Sequence, residues 1–115
     1  VAEEILMPYS ESLAERIRSL LDERNDIVTK QMFGSLAFML KGNMCVGVWE
    51  FLLIARVGAD AYQDALTNDY VREFDVTGRP MTGWILVEPE GVDSDRLLQV
   101  WINRAVEFVE TLPAK

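Results

Sequence analysis

The chain has no histidine and a single cysteine. Without histidine it lacks the commonest general base, any Ser-His-Asp or Cys-His arrangement, and most zinc sites. Cys45 stands alone in an apolar run, so it can form neither an internal disulfide nor a thiolate cluster. The glycine-rich phosphate-binding patterns GxxxxGK[ST] and GxGxxG are also missing. We therefore predict that the protein is not an enzyme and uses no cofactor or metal.

Long apolar runs and basic residues are also scarce. No apolar run approaches the length that spans a bilayer, and the first residues carry acids where a secretory signal carries bases. Eleven bases against nineteen acids give a net charge of −8, and this negative field repels phosphate backbones. We expect a cytoplasmic protein that binds neither membranes nor, directly, nucleic acid, and whose partners are other proteins.

The 115 residues are enough for one domain with its own core, and half of them are apolar. We predict an N-terminal arm over residues 1–9 and a single domain over residues 10–115. A first helix begins at Ser10 or Ser12, both good N-caps, and shows apolar residues at helical spacing. A last helix, with Asp93 as N-cap, carries a wide apolar stripe and ends at Pro113.

The centre of the chain, from Met32 to Val57, holds three apolar runs separated by turn-forming residues. This pattern predicts a three-stranded antiparallel meander. The strand over 36–40 is expected to continue a bent segment from 27–31 through Gly34. A two-residue turn at Gly42-Asn43 would place Phe38 opposite Gly47.

Both faces of this meander are apolar. The predicted register places one set of side chains on the first face (Leu36, Phe38, Leu40, Cys45, Trp49) and another on the second (Ala37, Met39, Met44, Val46, Val48). An antiparallel sheet with one face in water should alternate apolar and polar residues. We therefore expect the second face to be covered, either by helices on both sides of the sheet or by another subunit, and we predict a homodimer.

After the meander, Gly58 precedes a short helix over 59–66, and an extended edge segment follows over 70–76. A loop over 77–83 then leads into a short strand over 84–87. The predicted fold class is α+β: helix, three-stranded antiparallel meander, short helix, two strands, and a long C-terminal helix packed on the sheet.

Two arginines are candidates for binding. Arg56 interrupts an apolar strand, where a guanidinium needs a carboxylate, a carbonyl or a bound anion. It either forms an ion pair with Glu73 or Asp75, lies exposed, or binds an anionic ligand or partner. Arg79 lies in a loop and has the same alternatives. The candidate binding set is Arg56, Gly78, Arg79, Pro80, Met81 and Trp84, although Trp84, like Trp101, is first interpreted as a core aromatic.

The acids Glu88, Glu90, Asp93 and Asp95 form the one dense carboxylate cluster. A hard cation such as calcium is conceivable there, but helix capping and a solvated turn account for the same residues. Cys45 is interpreted as a packing residue because nothing near it in sequence would lower its pKa.

Several short motifs are spread along the chain: Met32-Phe33-Gly34, Gly42-Asn43-Met44, Arg56-Val57-Gly58 ahead of Tyr62, Thr77-Gly78-Arg79-Pro80-Met81 followed by Gly83-Trp84, and Thr111-Leu112-Pro113. Together they resemble the N-terminal domain of the TfoX/Sxy family of competence regulators. The resemblance runs from Ser10 to Pro113 and implies an α+β domain with the element order predicted above. Two-domain members of that family promote competence-gene expression together with a catabolite-activator-type transcription factor.

Two functional hypotheses follow. The first is a regulatory or adaptor module that acts through protein contacts, with a link to competence or transcription regulation implied by the resemblance. The alternative is a small anionic-ligand-binding protein or an unrecognised enzyme that uses Arg56 and Arg79, which requires the two guanidiniums to converge on one cavity.

Overall fold

A six-stranded antiparallel sheet forms the centre of the fold. The computed structural model describes residues 9–32, 34–76 and 78–115, so the arm predicted for 1–9 lies, apart from Tyr9, outside the described residues. The strands are ordered β1-β2-β3-β4-β6-β5 across the sheet. The elements are α1 (Glu11–Leu20), β1 (Ile27–Met32), β2 (Ser35–Leu40), β3 (Asn43–Trp49), β4 (Leu52–Arg56), α2 (Ala59–Leu66), β5 (Val71–Glu73), β6 (Trp84–Val87), a 3-10 helix (Pro89–Val92) and α3 (Asp95–Val109).

The predicted α+β class and element order are confirmed, with one strand more in the meander. The bent strand that we predicted through Gly34 is wrong, because the chain reverses there and forms two paired strands. Ile27 pairs with Leu40, and Met32 pairs with Ser35. Gly34 has a φ of 80°, which a glycine adopts without steric cost, so a tight reversal is available where we expected a bulge.

The turn between β2 and β3 lies one residue earlier than predicted. Lys41 and Gly42 both have positive φ, 53° and 83°, as a two-residue hairpin turn requires. Asn43 belongs to the sheet instead, where it pairs with Leu40. Its buried side-chain amide donates a hydrogen bond of 3.0 Å to the carbonyl of Pro113. The predicted Gly42-Asn43 turn is therefore wrong.

A bulge at Cys45 changes the register further along β3. Phe38 pairs with Val46 and the next pair is Met39 with Met44, so Cys45 has no partner on β2. Gly47 consequently lies opposite Ala37, and the predicted pairing of Phe38 with Gly47 is wrong. The bulge reverses the predicted faces of Val46, Val48 and Trp49, whereas those of Leu36, Ala37, Phe38, Met39, Leu40, Met44 and Cys45 are confirmed.

The helices begin at polar caps that satisfy backbone N–H groups. The Ser10 hydroxyl accepts a hydrogen bond from the Leu13 amide at 3.1 Å, which confirms one of the two predicted caps of α1. The cap of α3 is Ser94, not Asp93, and its hydroxyl accepts from the Leu97 amide at 3.2 Å. This helix also ends earlier than predicted, at Val109 instead of Pro113.

The main core lies between the helices and the first face of the sheet. Trp101 on α3 is buried in it, as predicted, together with Cys45. Its fully buried side chains include Ile17, Phe38, Leu40, Val46, Val48, Leu53, Ile85, Val87, Val92, Leu98 and Ile102. Among the helices that the structure describes, none is long and apolar enough to cross a membrane.

Candidate interaction surface

No helix that the structure describes is packed against the second face of the sheet. The buried side chains of α1, α2 and α3 all belong to the core on the first face, whereas the buried cluster on the second face contains strand residues only. We call this second surface the open face. Successive strands contribute to it Val28 and Lys30, Ala37 and Met39, Met44, Gly47 and Trp49, Leu52, Ile54 and Arg56, Arg72, and Trp84 and Leu86.

The open face is apolar and partly accessible. At its centre Leu52, Ile54 and Leu86 are buried by their neighbours, at 6%, 3% and 1% exposure. Around them lie half-buried side chains: Met44, Trp49, Phe74 and Trp84 pack against this cluster, and Met39 is half-buried as well. At the β1 edge Val28 is 65% exposed. These residues cover one another incompletely. The helices that the structure describes all lie on the other side of the sheet, so the predicted cover by helices on both sides is wrong for this part of the chain.

Methionine gives this surface adaptable side chains. Met39 and Met44 are direct cross-strand partners. The methyl group of Met44 lies over Gly47, where a Cβ atom would collide with it. Methionine is unbranched and flexible, and it is used at protein surfaces that accommodate apolar partners. The glycine in β3 thus makes room for a side chain that can shift when a partner packs on the face.

Arg56 lies at the end of β4, at the margin of the open face. Its guanidinium carbon is 4.9 Å from the centroid of the Trp84 ring and 5.8 Å from that of Phe108. Among the described residues, no carboxylate lies within 4 Å of it, and the Glu73 carboxylate instead accepts a hydrogen bond from the Tyr62 hydroxyl. The predicted ion pair with Glu73 or Asp75 is therefore wrong. Arg56 is held by aromatic rings, a favourable cation–π arrangement.

The loop with Arg79 lies beside the same end of the sheet. Gly78, Arg79 and Pro80 are exposed, and Met81 is 37% exposed. Backbone hydrogen bonds tie the loop down: the Met81 amide donates to the Phe74 carbonyl, and the Gly83 carbonyl accepts from the amides of residues 57 and 58. The structure thus brings together Arg56 and Trp84 of the predicted set, because they are partners in the β4–β6 ladder, and it presents the other four in an exposed loop.

One cleft among the described residues lies away from both arginines. It has a volume of about 120 Å³ and is lined by Ser10, Ser12, Leu13, Arg16, Phe51, Pro89 and Val92. It contains neither Arg56 nor Arg79. Phe51 is 71% exposed and lies in the turn before β4.

The acidic cluster near residue 90 is divided among separate partners. Glu88 lies 3.7 Å from Arg72, and Asp95 lies 3.2 Å from Arg16. Within the described residues, no group of three or more potential metal ligands comes together. The Cys45 thiol is fully enclosed, and burial raises its pKa to about 12. Glu88 and Asp95 thus form surface ion pairs, and Cys45 packs in the core.

The charges within the sheet are distributed unequally between its two faces. The six strands contain four charged residues: Lys30, Arg56, Arg72 and Glu73. The register places the three bases on the open face, whereas Glu73 lies opposite Ile85 on the helix-covered face. Glu88, just after β6, lies beside Arg72 at this face.

Lys30 and Arg72 stand at opposite ends of one row that crosses the whole sheet. The direct cross-strand partners in this row are Lys30, Ala37, Gly47, Ile54, Leu86 and Arg72. Five interstrand spacings of about 4.8 Å separate the two ends by roughly 24 Å. Neither base stands out in the sequence, because the row becomes visible only when all five strand pairings are known.

The fold and this surface define a class of protein: an α+β domain with helices on one side of a six-stranded antiparallel sheet and an apolar, base-bordered face on the other. The model of the TfoX N-terminal domain family matches residues 19–109. The chain belongs to this family, as the sequence motifs indicated. Comparisons with curated proteins and with solved structures give no significant match.

Proposed function

We propose that this TfoX N-terminal domain is a non-enzymatic interaction module that works by binding a protein on its open face. The observation that supports the proposal is the open face itself. Monomeric proteins rarely leave a contiguous apolar surface of this kind uncovered unless it serves binding. Two tryptophans and two methionines, residue types enriched in interfaces, are half-buried there.

The size of the open face fits a protein partner. The six strands have three to seven residues. With an average length of about 17 Å and spacings of about 4.8 Å they give a surface of roughly 24 by 17 Å, or about 400 Å² in projection. The accessible surface exceeds this projection because the side chains stand out from the sheet. Transient to standard protein interfaces bury about 600 to 800 Å² on each partner. A partner that covers the face would therefore form an interface of ordinary size.

A regulatory or adaptor role in competence or transcription is the biological setting that we propose for this binding. The support is the family membership, since TfoX/Sxy proteins are competence regulators. The acidic surface, with a net charge of −8, favours a role through protein contacts over direct binding to DNA. Deleting the gene and measuring transcripts of competence genes under inducing conditions tests this setting separately from the binding surface.

The alternative, anion binding by Arg56 and Arg79, has less support. The Arg56 guanidinium is already engaged with the rings of Trp84 and Phe108, and the described cleft contains neither arginine. Titration with inorganic phosphate, followed by tryptophan fluorescence from Trp84, measures whether the pair binds an anion. Saturable binding that Arg56→Gln abolishes would favour this alternative.

The binding proposal is tested by changing the open face without unfolding the protein. Met39→Thr with Met44→Thr removes two half-buried apolar side chains and keeps residues that favour strands. The matched control is Val100→Thr, which changes a residue that is 43% exposed on α3, on the other side of the molecule. Partners recovered from the native cell should be lost with the double variant and kept with the control. Equal recovery with both variants would refute the proposal.

The homodimer that the sequence predicted stays a prediction. A second copy is one possible occupant of the open face, and sedimentation velocity at micromolar concentration measures it. A dimer that the Met39→Thr, Met44→Thr variant converts to monomer would support it, and a strict monomer would remove it.

A further inference from the structure

The bases of the open face contrast with the charge of the whole molecule. The chain has eight more acids than bases, yet all three charged residues that the strands direct to this face are basic. The face is therefore an apolar surface with cationic ends on an otherwise acidic protein. Charge complementarity steers association toward partners of opposite sign and disfavours partners of like sign.

From this pattern we infer that the open face binds an amphipathic helix of a partner protein, one whose apolar stripe is flanked by acidic residues. This inference rests on the proposed interaction function and adds the chemistry of the partner. A helix is the natural occupant because the other face of the same sheet is already covered by helices, among them α3 with 15 residues. The sheet would then lie between two helical layers, which buries both of its apolar faces.

The ends of the cross-sheet row set the length of the helix. Lys30 and Arg72 are separated by roughly 24 Å, five interstrand spacings. An α-helix rises about 1.5 Å per residue, so about 16 residues span this distance. Between the two bases the row consists of Ala37, Gly47, Ile54 and Leu86, which are buried. The apolar contact comes from the half-buried side chains beside the row: Met39, Met44, Trp49 and Trp84.

A second copy of the chain fits this charge pattern less well. The row carries a base at each end, so two copies that packed row on row would oppose base to base in either orientation. Glu88, 3.7 Å from Arg72, offsets this repulsion at one end only. The helical layer of a second copy gives no better match, because the apolar stripes of its helices are already buried in the core.

The test is a selection from a displayed library of amphipathic peptides. Each peptide of about 18 residues has a fixed leucine stripe at helical spacing, and the positions beside the stripe are randomised among Glu, Gln and Lys. Selection on the wild-type chain should enrich Glu at those positions. The selected peptides should bind less tightly as salt is added, and Met39→Thr with Met44→Thr should abolish binding.

A charge variant and a matched control sharpen the result. Lys30→Gln with Arg72→Gln should weaken the selected peptides about five- to tenfold at low salt, the size of effect that two exposed ion pairs produce. Arg18→Gln with Arg96→Gln removes the same charge from the helical layer and should change affinity less than about twofold.

Each other outcome overturns a defined part of the account. Enrichment of Lys or Gln in peptides that still need Met39 and Met44 would refute the acidic partner and leave the proposed function standing. Peptides that do not depend on Met39 and Met44, or a failure to select any, would refute binding at the open face as well. A dimer that the Met39→Thr, Met44→Thr variant dissociates would show that a second copy is the occupant.

Discussion

Replacing Phe38 and Met39 separately by alanine compares the two faces of the sheet at neighbouring positions. Phe38 is 1% exposed and faces the helices, whereas Met39 is half-buried on the open face. Truncating a fully buried phenylalanine costs about 3 to 5 kcal/mol, because it removes apolar burial and leaves a cavity. Truncating Met39 should cost only about 1 kcal/mol, since part of its side chain is already in water and the site borders on solvent.

Urea denaturation followed by circular dichroism measures both losses. With a slope near 1.5 kcal/mol per molar, Phe38→Ala should lower the midpoint by about 2 to 3 M and Met39→Ala by less than about 1 M. Because total stability is typically about 5 to 15 kcal/mol, Phe38→Leu serves as a milder variant if Phe38→Ala does not fold. Equal losses of stability at the two positions, or a larger loss for Met39, would mean that the open face is covered as fully as the first face. Such a result would refute the claim that the helices pack on one face only.

Three further predictions concern single sites. Gly58→Ala should cost about 2 to 4 kcal/mol in the same assay, because its φ of 89° is strained for alanine and its Cβ would meet the Phe108 ring. Gly78→Ala, with φ 97° and open space around the Cβ, should cost only about 1 kcal/mol. Equal costs would contradict the Phe108 contact. Cys45, whose pKa burial raises to about 12, should resist alkylation by iodoacetamide at pH 8 in the folded protein and react quickly in urea; rapid reaction without urea would contradict its burial. Hydrogen bonds from Arg24 lower the pKa of Asp26 from its usual 3.8. The ionised carboxylate therefore stabilises the fold above that pH, and this stabilisation is lost as the pH falls through the lower folded-state pKa. The urea midpoint of Asp26→Asn should differ from that of the wild type at pH 7 and converge with it in acid; a midpoint difference that does not change with pH would contradict the linkage.

The helices and the class of the fold follow from local signals in the sequence. Ser10 caps α1 and the apolar spacing after it is helical, so the element can be placed from its own residues. The short edge strand after Tyr70 and the helix after Gly58 are likewise where local patterns predict them. Such elements can be predicted from the sequence without knowing their packing partners.

The strand register could not be predicted because it depends on two non-local features. The reversal at Gly34 produces two strands from a segment that is compatible with one bent strand, and only the pairing of Ile27 with Leu40 distinguishes them. The bulge at Cys45 is equally invisible, because the residues around it are all apolar. Each feature changes which side chains share a face, so the predicted faces of Val46, Val48 and Trp49 were wrong.

The candidate surface was predictable in part. A surplus of apolar residues on both faces of the meander indicated a face that needs a cover, and the open face is that surface. Its charge pattern was not predictable, because Lys30 and Arg72 are far apart in sequence and are related only through five strand pairings. Arg56 was singled out correctly as unusual in its strand, but its aromatic partner Phe108 comes from α3, at the other end of the chain.

Oxidative footprinting inside the native cell lysate tests the central claim most directly, because methionine and tryptophan report their own accessibility. If the open face binds a protein partner, Met39, Met44 and Trp49 should be oxidised more slowly in the lysate than in the purified chain. Phe51, which is exposed and lies outside the open face, should be modified equally in both. Equal oxidation of the open-face residues in the lysate and in the purified chain would contradict the account.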